Sequence, residues 1–119
     1  MSSNAYPYRR DIHVRLIETA IQGRTIAYSE LPTSRRWVGA ILFRITHEED
    51  AAGRPPLTAV VVHKSDGRPG PGFLQAMEEV HYAHAGETEP AVWQRALGDV
   101  YAYWRPKLND DRDTWPRFQ

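Results

Sequence analysis

Between Asp11 and Gln22 the apolar residues Ile12, Leu16, Ile17, Ala20 and Ile21 recur at helical spacing, while Arg15, Glu18 and Gln22 fall on the opposite side. This predicts an amphipathic helix over 11–22, with Asp11 favouring its N-terminus and Gly23 ending it. Ser29 precedes a short turn containing Leu31, and Pro32 limits that turn. A second stripe, Val38, Ile41, Leu42 and Ile45, follows the i, i+3, i+4, i+7 rule and predicts a helix over 35–48, capped by Thr33 or Ser34. Trp37 and Phe43 are expected as partly buried side contacts. Gly39 inside this helix costs about 1 kcal/mol relative to alanine. A residue that small permits close approach of another helix, the first expectation, or of a nucleic-acid backbone.

Leu57 to His63, LTAVVVH, is apolar almost throughout and rich in valine, which predicts a strand. Asp66-Gly67 after it signals a hairpin turn. Pro69, Gly70, Pro71 and Gly72 keep the returning strand short, because proline has no amide to give to a ladder. The strip Thr25 to Ala27 is a candidate further edge strand. Phe73, Met77, Val80 and His81 begin a helix expected over 73–84, and Thr88 or Glu89 before Pro90 starts a last one over 91–105. That last helix carries Val92, Ala96 and Val100 with Trp93, Leu97, Tyr101 and Trp104.

Helix, turn, helix, strand and glycine-rich wing in that order predict an α+β, winged-helix-like domain with a short β hairpin and additional C-terminal helices. Residues 1–10 read as a flexible arm, 11–108 as the single domain and 109–119 as a polar tail. A chain of 119 residues holds one hydrophobic core of this size. Cysteine is absent, which excludes disulfides, thiolate metal sites and a cysteine nucleophile. Neither a secretory-type apolar stretch nor a bilayer-length run is present, so a soluble, cytoplasmic protein with no membrane partner is expected.

Net charge is zero, but its halves differ. Residues 1–46 carry seven Arg against three acids, a net of +4, and residues 47–119 carry eight bases against twelve acids, a net of −4. A neutral total therefore hides a dipolar chain. A candidate DNA face combines Ser34, Arg35 and Arg36 of the basic half, at the start of the 35–48 helix where amide N–H groups also favour anions, with Lys64 and Arg68 on the wing from the other half. The competing expectation is that Arg35 and Arg36 pair with Glu48, Glu49 or Asp50. In that case a protein partner or a homodimer would use the aromatic helix, through Trp93, Tyr101, Tyr103 and Trp104, and the chain would act as a small adaptor or inhibitor.

Enzymatic chemistry finds little support. His81 and His84 at i, i+3 spacing lack a third ligand, and Gly67-x-x-Gly70-x-Gly72 is divided by prolines that remove phosphate-binding amides. Neither a catalytic set nor a cofactor motif emerges.

The stretches GRTIAYSELP, RRWVGAIL, PLTAVVV and KSDGRPGPG, within residues 23–72, resemble the winged-helix DNA-binding domain of alkylguanine-DNA alkyltransferases and their inactive alkyltransferase-like relatives. The resemblance implies that Tyr28 stands where the family crowds a target phosphate, and Arg36 where an arginine enters the duplex. It also places Leu57 at the reactive cysteine, Thr58 at its histidine, Ala59 at its arginine and Ile45 near the active-site asparagine. Alkyl transfer to the protein is thereby excluded at this position, since neither thiolate nor base is present.

Overall fold

The helical stripes form helices because each has a core to face. The structure, a computed structural model, describes residues 7–107. In order, it contains α1 (Arg10–Ile21), β1 (Ile26–Ala27), a 3-10 turn (Tyr28–Glu30), α2 (Arg35–Ala51) and a second 3-10 turn (Leu57–Val60). β2 (Val61–Val62), α3 (Phe73–Glu79) and α4 (Glu89–Trp104) follow, with a closing 3-10 turn at Arg105–Lys107. The arrangement is α+β and winged-helix-like, with α1 and α2 forming the helical pair and the loop after β2 serving as the wing.

Helix ends follow the local chemistry. Gly23 adopts φ +68 and Gly53 φ +73, and at each the following amide reaches back across the last turn, Arg24 N–H to Thr19 O and Arg54 N–H to Glu49 O. Thr88 accepts from Ala91 N–H with Pro90 just inside α4. α3 is shorter than its apolar spacing predicts. His81 takes the left-handed position, φ 61, and Tyr82 N–H closes on Met77 O, so the chain leaves the helix before His84.

LTAVVVH is the larger departure. Leu57–Val60 wind into a 3-10 turn at the meeting of α1, α2 and α4, and only Val61–Val62 extend. All four turn residues are buried. An apolar run looks the same whether it becomes strand or tight helix. Surrounded by helices, with a single two-residue strand as neighbour, this one satisfies part of its own backbone locally. β2 pairs in parallel with β1, Ile26 opposite Val61 and Ala27 opposite Val62, which makes α2 the crossover between them. The chain does reverse at Asp66-Gly67: His63 N–H donates to Arg68 O, and Gly67 N–H to His63 O, both at 2.8 Å. Among the described residues no ladder continues through Pro69–Gly72.

The main core joins Ile12, Leu16 and Ile17 of α1 to Ile41 and Ile45 of α2, Leu57 and Val60 of the turn, and Val100 and Trp104 of α4. A satellite core of Ala59, Phe73, Met77, Val92 and Ala96 seats α3 on α4. Tyr8 and Arg9, at the end of the expected arm, are anchored by the Tyr8–His13 hydrogen bond and by Arg9 contacts to Asp11 and to Pro32 O. The remaining arm, 1–6, and the tail, with Trp115 and Phe118, lie outside the described residues. Among the described residues no helix is long and apolar enough to cross a membrane.

Candidate nucleic-acid interface

A cavity of about 900 Å³ opens between α2 and the wing. Ser34, Arg35, Val38, Gly39, Leu42 and Thr46 form its α2 wall, while His63, Lys64, Ser65 and the start of α3 face them. The start of the second helix and the wing, far apart in sequence, thus border one opening. Tyr28, Ser34, Arg35 and Lys64 all line it; Arg36 and Arg68 do not.

Two details show how the wing is held there. Tyr28 Oη accepts from Gly70 N–H at 3.1 Å, and the Tyr28 ring stacks at a tilt on His63 with centroids 4.8 Å apart. A methyl at Gly70 would lie 2.7 Å from Tyr28 Oη and 3.1 Å from His63 Nε2, so only glycine fits the clasp without displacement. Burial pushes the Tyr28 phenol above its ordinary pKa, opposed by the Gly70 N–H that favours the phenolate. Its hydroxyl proton is therefore retained and remains available as a donor. At the cavity floor Thr46 Oγ1 donates to Leu42 O at 3.1 Å and lies 2.7 Å from Thr58 Oγ1. With the Thr46 proton so used, Thr58 is the donor of that pair.

Leu57, at the position of the alkyltransferase cysteine in the resemblance, is fully buried and absent from the cavity wall, as is Ile45. Thr58 alone of that stretch reaches the cavity.

Charge is distributed unevenly along α2. Arg35 and Arg36 occupy its first turn and Glu48, Glu49 and Asp50 its last, the reverse of what the helix dipole favours. The acidic end is explained within the fold. Glu48 takes Arg44 Nε at 2.6 Å, and Glu49 takes His13 Nε2 and Arg54 Nε, each at 2.5 Å. The expected pairing of Arg35 or Arg36 with these acids does not occur. Arg35, Arg36, Lys64 and Arg68 have no carboxylate partner among the described residues. The Arg36 guanidinium instead lies over the Trp37 ring, 5.3 Å from its centroid.

Gly39 has a different reason from the one expected. A Cβ there meets nothing within 4 Å, so no neighbouring helix requires a small residue. It lines the cavity, where an absent side chain exposes helix backbone. Trp37 also departs from expectation: at 49% exposure it is the single large hydrophobic residue exposed among those described. The signal was present, because position 37 falls outside the Val38, Ile41, Leu42, Ile45 stripe.

The aromatic helix is occupied internally. Trp104 is 1% exposed, Trp93 Nε1 donates to Ala59 O at 2.9 Å, Tyr101 Oη donates to Arg24 O at 2.9 Å, and Tyr103 packs against the core beneath Lys107. His81 and His84 are separated by the turn after α3, and no group of three or more His, Asp or Glu among the described residues is placed to hold a metal. No family model, characterised protein or solved structure matches this chain.

Proposed function

We propose that the chain is a noncatalytic nucleic-acid-binding protein whose target is double-stranded DNA. The observation that carries this reading is the set of four cations, Arg35, Arg36, Lys64 and Arg68, left without carboxylate partners among the described residues around one helix end and one wing, while Glu48 and Glu49 at the far end of α2 are engaged by other cations. Placing two arginines in the first turn of a helix costs stability, typically 0.3–1 kcal/mol per charge at an exposed site. An anion arriving at that turn removes the cost, and phosphates of a duplex supply anions at regular spacing. Arg35 and Ser34 then border a groove contact from α2, and Lys64 with Arg68 takes phosphate from the wing. Gly39 supports the same surface, since its bare backbone admits a close ligand. The resemblance of residues 23–72 to alkyltransferase-like DNA-binding domains supports it as well, with Leu57 in the cysteine position favouring binding without transfer.

Titration of labelled duplex and single-stranded DNA across a range of salt concentrations tests the reading. Duplex affinity should fall steeply with salt. Alanine at Arg35 and Arg36 together should weaken it by about 1–3 kcal/mol and reduce the salt slope by roughly one for each phosphate contact removed. Folding stability should stay within about 0.5 kcal/mol, as for other surface changes. Arg36→Ala should alter target preference more than Lys64→Ala. An unmutated protein that binds no duplex at low salt overturns the reading.

A further inference from the structure

We propose that the cavity between α2 and the wing is a binding site for a small carboxylic acid with an apolar body, its carboxylate held by Arg35 and Lys64 and its body laid along the walls. The site does not depend on the nucleic-acid reading, although it shares two cations with it.

Size and lining set the class of ligand. Small-molecule pockets run to about 300–1,000 Å³, mostly apolar with a few placed polar groups, and this cavity holds about 900 Å³. Its walls carry Val38, Leu42 and Phe43 from α2 and Phe73 and Ala76 from α3. At the floor Thr46 gives its proton to Leu42 O, and Thr58 gives its own to Thr46. Both hydroxyl protons are spent inside the protein, so a charged group reaching that depth would lose water and gain no hydroxyl donor. The buried end of a ligand is therefore apolar. A nucleobase, whose edge needs donors and acceptors together, is a poor match for the same floor.

The polar end belongs where donors stand unused. Arg35 and Lys64 come from facing walls, both are exposed, and neither has a carboxylate partner among the described residues. Tyr28 accepts from Gly70 N–H, and its own proton has no acceptor among the described residues. The acidic residue in the lining is Glu79, its side chain half exposed and 3.9 Å from His47 Nε2. One carboxylate against two cations leaves the lining positive. An alcohol or an amide would leave both cations uncompensated, whereas a carboxylate meets them by charge-assisted hydrogen bonds.

Calorimetric titration of the full chain with octanoate and naphthoate, and with octanol and naphthol as their neutral counterparts, tests the proposal. Each acid should bind saturably below any micellar range, and about tenfold or more tighter than its alcohol. Arg35→Ala combined with Lys64→Ala should remove that difference and leave the alcohols unchanged. Gly39→Leu, where the added side chain starts in open space, and Ala76→Leu on the other wall should weaken acid and alcohol alike. No saturable binding of either acid overturns the proposal. Equal affinity for acid and alcohol overturns the anionic class, and acid binding that both wall variants leave intact overturns the cavity as its place. Should one wall variant fail to show a thermal midpoint, the other and the exposed cation pair decide. A labelled duplex, bound as proposed above, should be displaced by either acid; both bound together on one protein would overturn the assignment of Arg35 and Lys64. A chain that binds acid but no duplex fails the DNA reading alone, and one that binds duplex but no acid fails this proposal alone.

Discussion

The two ends of α2 treat charge in opposite ways. At the C-terminal end Glu49 is fully buried, yet both its oxygens are used: His13, itself 1% exposed, meets one, and Arg54 meets the other. Both ring nitrogens of His13 are hydrogen-bonded, Nε2 to the Glu49 carboxylate and Nδ1 to the Tyr8 hydroxyl at 2.8 Å. Burial, with Glu48 nearby, holds that phenol protonated well above the ordinary tyrosine range. α1, α2 and the chain before α1 are locked together by one polar chain. At the N-terminal end two arginines oppose the helix dipole, Gly39 lowers helix propensity, Ser34 makes no side-chain capping bond, and a large cavity is left open. Buried polar groups must be paired to be tolerated. The exposed end follows no such rule, and residues unfavourable to the helix itself collect there.

Removing Glu49 gives the largest expected effect. Glu49→Ala strands His13 and Arg54 beside an apolar core and should cost about 3–5 kcal/mol, read from urea unfolding. DNA binding measured below the transition should be unchanged. A loss of stability under 1 kcal/mol would show that the buried carboxylate is not the lock described.

Gly39→Ala probes the other end and should move stability the opposite way. It should raise stability by about 1 kcal/mol, since the new methyl meets open space and improves helix propensity. Duplex affinity should fall, because that methyl enters the cavity wall. If stability and affinity rise together, the glycine is not kept for a ligand.

The smallest effect belongs to a pair that is neither buried nor free. Glu87 accepts from Arg95 and from His84 N–H, and the Arg95 hydrogen bond foremost draws its carboxyl from 4.5 down to about 2. A carboxyl whose folded-state pKa is depressed adds stability above its unfolded value. That contribution is present above about pH 4.5 and is lost as pH falls toward 2. Solvent screens this partly exposed pair, so Glu87→Gln should only flatten the acid limb of the stability curve slightly. A steep acid transition that disappears in Glu87→Gln would place the molecule's acid sensitivity at this pair, a larger effect than expected.

Much of the fold was legible along the chain. The stripes of α1, α2 and α4, the left-handed stop at Gly23, the Thr88-Pro90 start and the Asp66-Gly67 reversal each depend on neighbours within a turn or two. The 57–63 segment was not legible, because valines suit a strand and a buried turn alike until the surrounding helices are in place. Arg35, Lys64 and Tyr28 could be singled out by residue type and position. That Tyr28 clasps Gly70 and that Thr46 meets Thr58 could not, since each requires knowing which surfaces face one another.

The order of amino acids by itself determined where α1, α2 and α4 lie and that charge of one sign gathers in the first half. Tertiary structure alone decided that β1 pairs with β2 in parallel, that Glu49 is buried with His13 and Arg54, and that α2 and the wing leave a shared opening. The division has one physical cause. Periodicity and capping act within a few residues, whereas burial and ion pairing depend on groups as far apart as His13 and Glu49, brought together only when the core closes.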